Sequence, residues 1–167
     1  MSSNSISLHM RPHTAKCVRA WCADHRTGLI KITNAKAFGA VVYSQIKPVN
    51  FPVKTKYRDD LVEEVVVNLT VRYEKNKAID WRRWTMHIDR PSMLRIDRWV
   101  HNLFILIIYQ HYVGNGRKGK TEIIRHYLEK FDIGEDDLMF TSIYDTIRRA
   151  EREEQEKGRW PLINALS

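Results

Sequence analysis

Two cysteines, seven glycines and five prolines in 167 residues leave little material for several common architectures. Cys17 and Cys22 are too few, and too close together on one predicted helix, for a disulfide framework, which excludes the small cross-linked secreted domains. No segment repeats and none is of low complexity, so solenoid and fibrous arrays are excluded as well. Long apolar runs are also missing. The longest, Leu103–Tyr109 (LFILIIY), falls far short of the roughly 20 residues that span a bilayer, so no membrane association is expected. Met1–Ser7 is polar and lacks the apolar core of a signal peptide, which makes a cytoplasmic location the expectation.

What is present suits one compact domain with room for a small helical appendage. Apolar residues make up 43% of the chain and include five Trp and seven Tyr, enough to bury a core. The formal charge is +8, which favours a polyanionic partner, nucleic acid above all. That excess is uneven. Residues 1–60 carry 10 Lys and Arg against 3 Asp and Glu, residues 61–90 carry 6 against 5, and residues 91–167 balance at 12 against 12.

Periodicity predicts an α+β order of elements. Residues 1–9 read as a flexible tail, and RPHTAKCVRAWCADHRTG reads as a helix that Gly28 ends. GLIKIT is a short strand, and Asn34 offers an N-cap for the helix AKAFGAVVYSQIKP, whose Phe38, Val41, Val42 and Ile46 keep helical spacing until Pro48 stops it. After a basic connector over 48–60, VEEVVVNLTVRYE alternates as the clearest strand of the chain. KAIDWRRWTMHID is expected to pair with it as a β-hairpin turning near Asn76. Ser92 is the expected cap of a long helix through Val113. TEIIRHYLEKF and TSIYDTIRRAEREEQEK then flank the acidic turn DIGEDDL, which makes the C-terminus a trihelical unit. The expected division is a basic α+β region over 10–90 and a helical region over 91–157, with 1–9 and 158–167 as flexible tails.

One motif carries chemistry by its letters. GNGRKGKT, Gly114–Thr121, matches the phosphate-loop template G-x-x-x-x-G-K-[ST], in which backbone N–H groups and a lysine surround nucleotide phosphates. A phosphate-loop enzyme also needs a buried strand before the loop and further βα units after it. Here the preceding apolar residues (Leu94, Trp99, Val100, Leu103, Phe104, Ile107 and Ile108) recur at helical spacing. The residues after Thr121 offer no apolar strand ending in Asp. The plainer reading is a basic connection between two helices. Arg117, Lys118 and Lys120 stand before a helix N-terminus, where free N–H groups and the helix dipole favour a backbone phosphate.

Other constellations weigh less. On a helix His13 and Cys17 share one face, and Cys22 and His25 another, but the step from Cys17 to Cys22 turns the pairs apart, so no metal is assigned. Asp59, Asp60, Glu63, Glu64 and Glu74 lack the lysine spacing of a metal-dependent nuclease and read as a solvated strand entrance. WRRW, Trp81–Trp84, could stack on bases, but strand alternation makes half-burial the ordinary account. No nucleophile–base pair stands out, so neither a catalytic residue nor a cofactor is expected.

The C-terminal helices resemble a helix-turn-helix, in which the last helix would present Thr141, Ser142, Asp145, Arg148, Arg149 and Arg152 to a DNA groove. The competing account is a packing unit with a solvated face, since Glu151, Glu153, Glu154 and Glu156 lie in the same helix and repel DNA. The runs DRWVHNLF, IIRHYLEKFDIGEDDL and IYDTIRRAERE, with HTAKCVRAW and GLIKITNAKAFGAVVYSQI before them, are similar to small uncharacterised proteins of Bacteroidetes phages and mobile elements. The resemblance covers most of the chain through packing patterns. It implies the fold, a helix-turn-helix-like end suited to DNA, and no phosphate loop.

The sequence therefore predicts a non-enzymatic DNA-binding accessory or regulatory protein, dimeric, with double-stranded DNA as partner. Its expected contacts are Arg117, Lys118, Lys120, Arg125, Thr141, Ser142, Arg148, Arg149 and Arg152. The alternatives are an assembly adaptor for a phage or host protein, and a nucleotide-binding NTPase using Gly114–Thr121.

Overall fold

The computed structural model describes residues 5–49, 61–69 and 85–157. It is a mixed α+β protein, and alternation sets its first element. In SISLHM, Ile6, Leu8 and Met10 point one way and are buried, and this segment forms strand β1 (Ser5–Met10). The expectation of a flexible tail over 1–9 is thus corrected for residues 5–9. The period-2 apolar pattern outweighs the polar composition of that stretch.

Helix α1 (Pro12–Cys22) follows, with Pro12 in its first turn, where a missing N–H costs no bond. It ends well before Gly28. The Asp24 carboxylate accepts from the backbone N–H groups of Arg26 and Thr27 and closes a turn there. Strand β2 (Ile30–Ile32) leads to helix α2 (Ala37–Gln45), whose N-cap is Lys36 rather than Asn34. Gly39 is required at its place: a Cβ there would stand 2.0 Å from the Thr33 carbonyl oxygen, so α2 touches the end of β2 backbone to backbone. Strand β3 (Lys47–Val49) comes next.

Strand β4 (Glu63–Leu69) is the centre of a three-stranded sheet in the order β1-β4-β2. It pairs antiparallel with β1, Leu8 opposite Val65, and parallel with β2, Ile30 opposite Val67. Val65, Val67 and Leu69 share the buried face with Ile6, Leu8, Ile30 and Ile32, and α1 packs on β2 and β4 with Ala15, Cys17 and Val18 buried. Strand β5 (Thr85–His87) pairs with β3, Lys47 opposite His87. This corrects the expected hairpin for the described residues. Both sides of β4 are already taken by β1 and β2, so the segment before the long helix finds β3. Residues 70–84 (with WRRW) and 50–60 lie outside the described residues, as does the tail over 158–167.

The long helix α3 (Arg90–Gly114) is capped by Asp89 rather than Ser92, because the Asp89 carboxylate accepts the Ser92 N–H at 2.9 Å. Lys47 also donates to that carboxylate, and the bonds from Lys47 and Ser92 hold Asp89 well below the usual carboxylate range. Helices α4 (Lys120–Lys130) and α5 (Phe140–Lys157) complete the order. Among the described residues no helix is long and apolar enough to cross a membrane.

The chain divides into two compact units, Met1–Asp97 and Arg98–Ser167, with the boundary inside α3. Within the first, Asp97 is 2% exposed and accepts from the Arg11 N–H, the Arg11 guanidinium and the Thr14 hydroxyl. The start of α1 is thereby fixed to α3. Burial pushes the Cys17 thiol up to about 12, which makes it an inert core group. The second unit is the trihelical one. Phe104, Ile108, Ile123, Ile124, Ile143 and Ile147 fill its core, and Phe104 meets Phe131 edge to face at 5.6 Å.

Candidate nucleic-acid interface

GNGRKGKT is a helix–helix connection. Gly114 ends α3, and two bonds close it: Gly116 N–H to the Val113 carbonyl, 3.0 Å, and Arg117 N–H to the Tyr112 carbonyl, 2.9 Å. Such a pair satisfies the last carbonyls of a helix when the residue past its cap is left-handed. Gly116 stands there with φ 64°, Arg117 follows at 60°, and Gly119 at 68° is the N-cap of α4. The glycines supply positive φ to end one helix and begin another. A helix, not a strand, leads into the loop, so the strand–loop–helix frame of a phosphate loop is not built here.

The basic residues of the loop have different fates. Lys120 donates to the Glu151 carboxylate, with side chains 16% and 17% exposed, and its ammonium lies 5.0 Å from the Tyr112 ring centre and 5.1 Å from that of Tyr144. Arg117 donates to Glu154 at 2.9 Å. Tyr112 donates to Glu151 at 2.8 Å and Tyr109 donates to Glu154, so two carboxylates of α5 bind α3, the loop and the start of α4 together. Burial alone would raise the Glu151 carboxyl, but the bonds from Lys120 and Tyr112 outweigh it and hold the group below its ordinary 4.5. The bonds from Tyr109 and Arg117 lower Glu154 in the same way. Burial, with the bond to Glu151, pushes the Tyr112 hydroxyl up to about 12.

These partners change the weight of the expected contacts. Lys120 and Arg117, read from sequence as phosphate ligands, are engaged by carboxylates of α5, Lys120 half-buried and Arg117 at the surface, while Lys118 is exposed. Arg125 is exposed on α4 with its guanidinium 5.9 Å from the centre of the Phe140 ring. Thr141, Ser142, Arg148, Arg149 and Arg152 are all exposed along α5, together with Asp145. Thr141, Asp145, Arg148 and Arg152 follow one another at helical spacing and form a single outward stripe, with Arg149 and Ser142 beside it. None of the ion pairs among the described residues takes Arg148, Arg149 or Arg152.

The acids of α5, by contrast, divide. Glu151 and Glu154 point inward into the polar network, and Glu153 and Glu156 are exposed. Sequence reasoning grouped all four as repelling DNA. The signal that separates them was present: Ile143, Ile147 and Ala150 define the inward face, and Glu151 and Glu154 continue it at spacings of three and four.

The turn differs from the expected form. The connection from α4 to α5 runs from Phe131 to Met139, longer than the roughly three or four residues of a helix-turn-helix. Asp132, left-handed at φ 53°, lets the Ile133 N–H reach the Leu128 carbonyl at 2.8 Å and so ends α4, after which Ile133 is buried as an anchor for the longer turn. Among the described residues no group of His, Cys, Asp and Glu could hold a metal ion. Comparison of the chain with known protein families, curated proteins and solved structures gives no match.

Proposed function

We propose that this chain is a non-enzymatic double-stranded-DNA-binding protein that uses α5 as its groove-facing helix. The phage or mobile-element setting rests on the sequence resemblance alone. A regulatory or accessory role, with two copies on one site, fits a helix that offers a single narrow face. The observation that carries the reading is the division of charge on α5. Arg148, Arg149 and Arg152 face solvent without an ion pair among the described residues, while two of the neighbouring acids are turned inward and bonded. Arginine left unpaired in this way suits phosphate oxygens and guanine edges. Lys118 and Arg125, exposed at and near the start of α4, add flanking phosphate contacts.

The test is duplex retention in a mobility-shift assay across a salt series. The wild-type chain is expected to retard the duplex with an affinity that falls steeply as salt rises. Changing Arg148, Arg149 and Arg152 together to Ala is expected to abolish retention at moderate salt. Retention unchanged in that variant sinks the assignment of α5, and co-purification of a protein partner with no duplex binding favours the assembly adaptor.

A further inference from the structure

Asp145 is out of place on a surface made only to grip phosphates. It is exposed and lies between Thr141 and Arg148 on the outward stripe of α5. A carboxylate there repels every backbone phosphate that the neighbouring arginines attract. No ion pair among the described residues neutralises it. It also stands in the N-terminal half of its helix, and base edges are read from that half of a recognition helix. Toward the helix start its neighbours on that surface are short, since Thr141 and Ser142 occupy the first turn. Short side chains let the start of a helix come close to the groove floor, whereas Arg149 and Arg152, further along, reach outward to the sides.

We propose that Asp145 reads a cytosine, accepting a hydrogen bond from its exocyclic amino group in the major groove, so that α5 selects its duplex by sequence. The inference rests on the duplex-binding reading above. Among the base edges in that groove, the amino groups of cytosine and adenine are the donors a carboxylate can use. Adenine presents an acceptor beside its amino group, which repels a second carboxylate oxygen, and cytosine does not. The carboxylate thus favours one base and penalises unspecific contact. Arg148, one turn further along the same stripe, is placed for the guanine of the same or an adjacent pair.

Selection from a pool of duplexes with a randomised core, performed with the full chain, tests this. The wild type is expected to enrich a motif with a fixed cytosine. Asp145→Asn, whose amide pairs with adenine, is expected to change that one position from cytosine to adenine and leave the others as they were. Asp145→Ala is expected to lose roughly tenfold discrimination at that position while binding random duplex more tightly than the wild type. Unchanged helical ellipticity in both variants excludes misfolding as the cause. Retention of duplex with no enriched motif, or a motif that Asp145→Asn leaves unaltered, overturns this inference alone. No retention of any duplex by the wild type overturns it together with the function it rests on.

Discussion

Lys120 has the position of a phosphate-binding lysine in the letters of the sequence, and the company of a structural one. Its ammonium is enclosed by the Glu151 carboxylate and the faces of Tyr112 and Tyr144. Removing one partner from a largely buried pair leaves the other charge without compensation, which costs about 3 kcal/mol. Lys120→Ala is therefore expected to lower the denaturant midpoint strongly, whereas an exposed phosphate ligand would change it by less than about 0.5 kcal/mol. Chemical denaturation of the two chains decides between them. Little of this was legible beforehand. The motif names Lys120 but not its partners, and Glu151 lies far along the chain on a helix whose inward face had to be known first. Arg148, Arg149 and Arg152 were legible, because outward positions follow from apolar spacing alone.

At the scale of elements, periodicity identified most helices and strands but could not choose their partners. The strand Glu63–Leu69 was evident from alternation, yet its neighbours are β1, hidden in a polar-looking terminus, and β2, across a parallel pairing that no local signal encodes. Gly39 is one place where such a contact depends on a single residue. Gly39→Ala drives a Cβ into the Thr33 carbonyl and is expected to cost about 1–3 kcal/mol, measured as a lowered Tm. The three helices of the second unit depend on charge as well as on packing. Glu151 and Glu154 have folded-state values below their ordinary 4.5, so their bonds contribute in full above that pH and are lost as the pH falls through the lower values. Stability is accordingly expected to be level above about pH 5 and to decline below it. In Glu151→Gln the decline should be shallower, as followed by helical ellipticity in an acid titration. An identical decline in both chains would contradict the arrangement.

For the whole molecule, net charge and local charge are separate quantities. Met1–Asp97 carries 17 Lys and Arg against 9 Asp and Glu, while Arg98–Ser167 carries 11 of each. A grip by α5 therefore depends on how its charges are arranged, and the excess elsewhere adds attraction without selection. If three arginines of α5 contact phosphates, their joint replacement by Ala should reduce the slope of log affinity against log salt by about 2–3, with a weaker residual slope from the basic first unit. A slope that does not change would place the contacts elsewhere. The left-handed glycines of the loop bear on how such a chain is read. Only the sign of φ is used at Gly116 and Gly119, and asparagine tolerates that region better than other side chains do. Writing asparagine at both positions would erase the nucleotide-binding signature from the text of the protein and leave the helices joined as they are. In this chain the left-handed glycines of that stretch serve the bend between two helices.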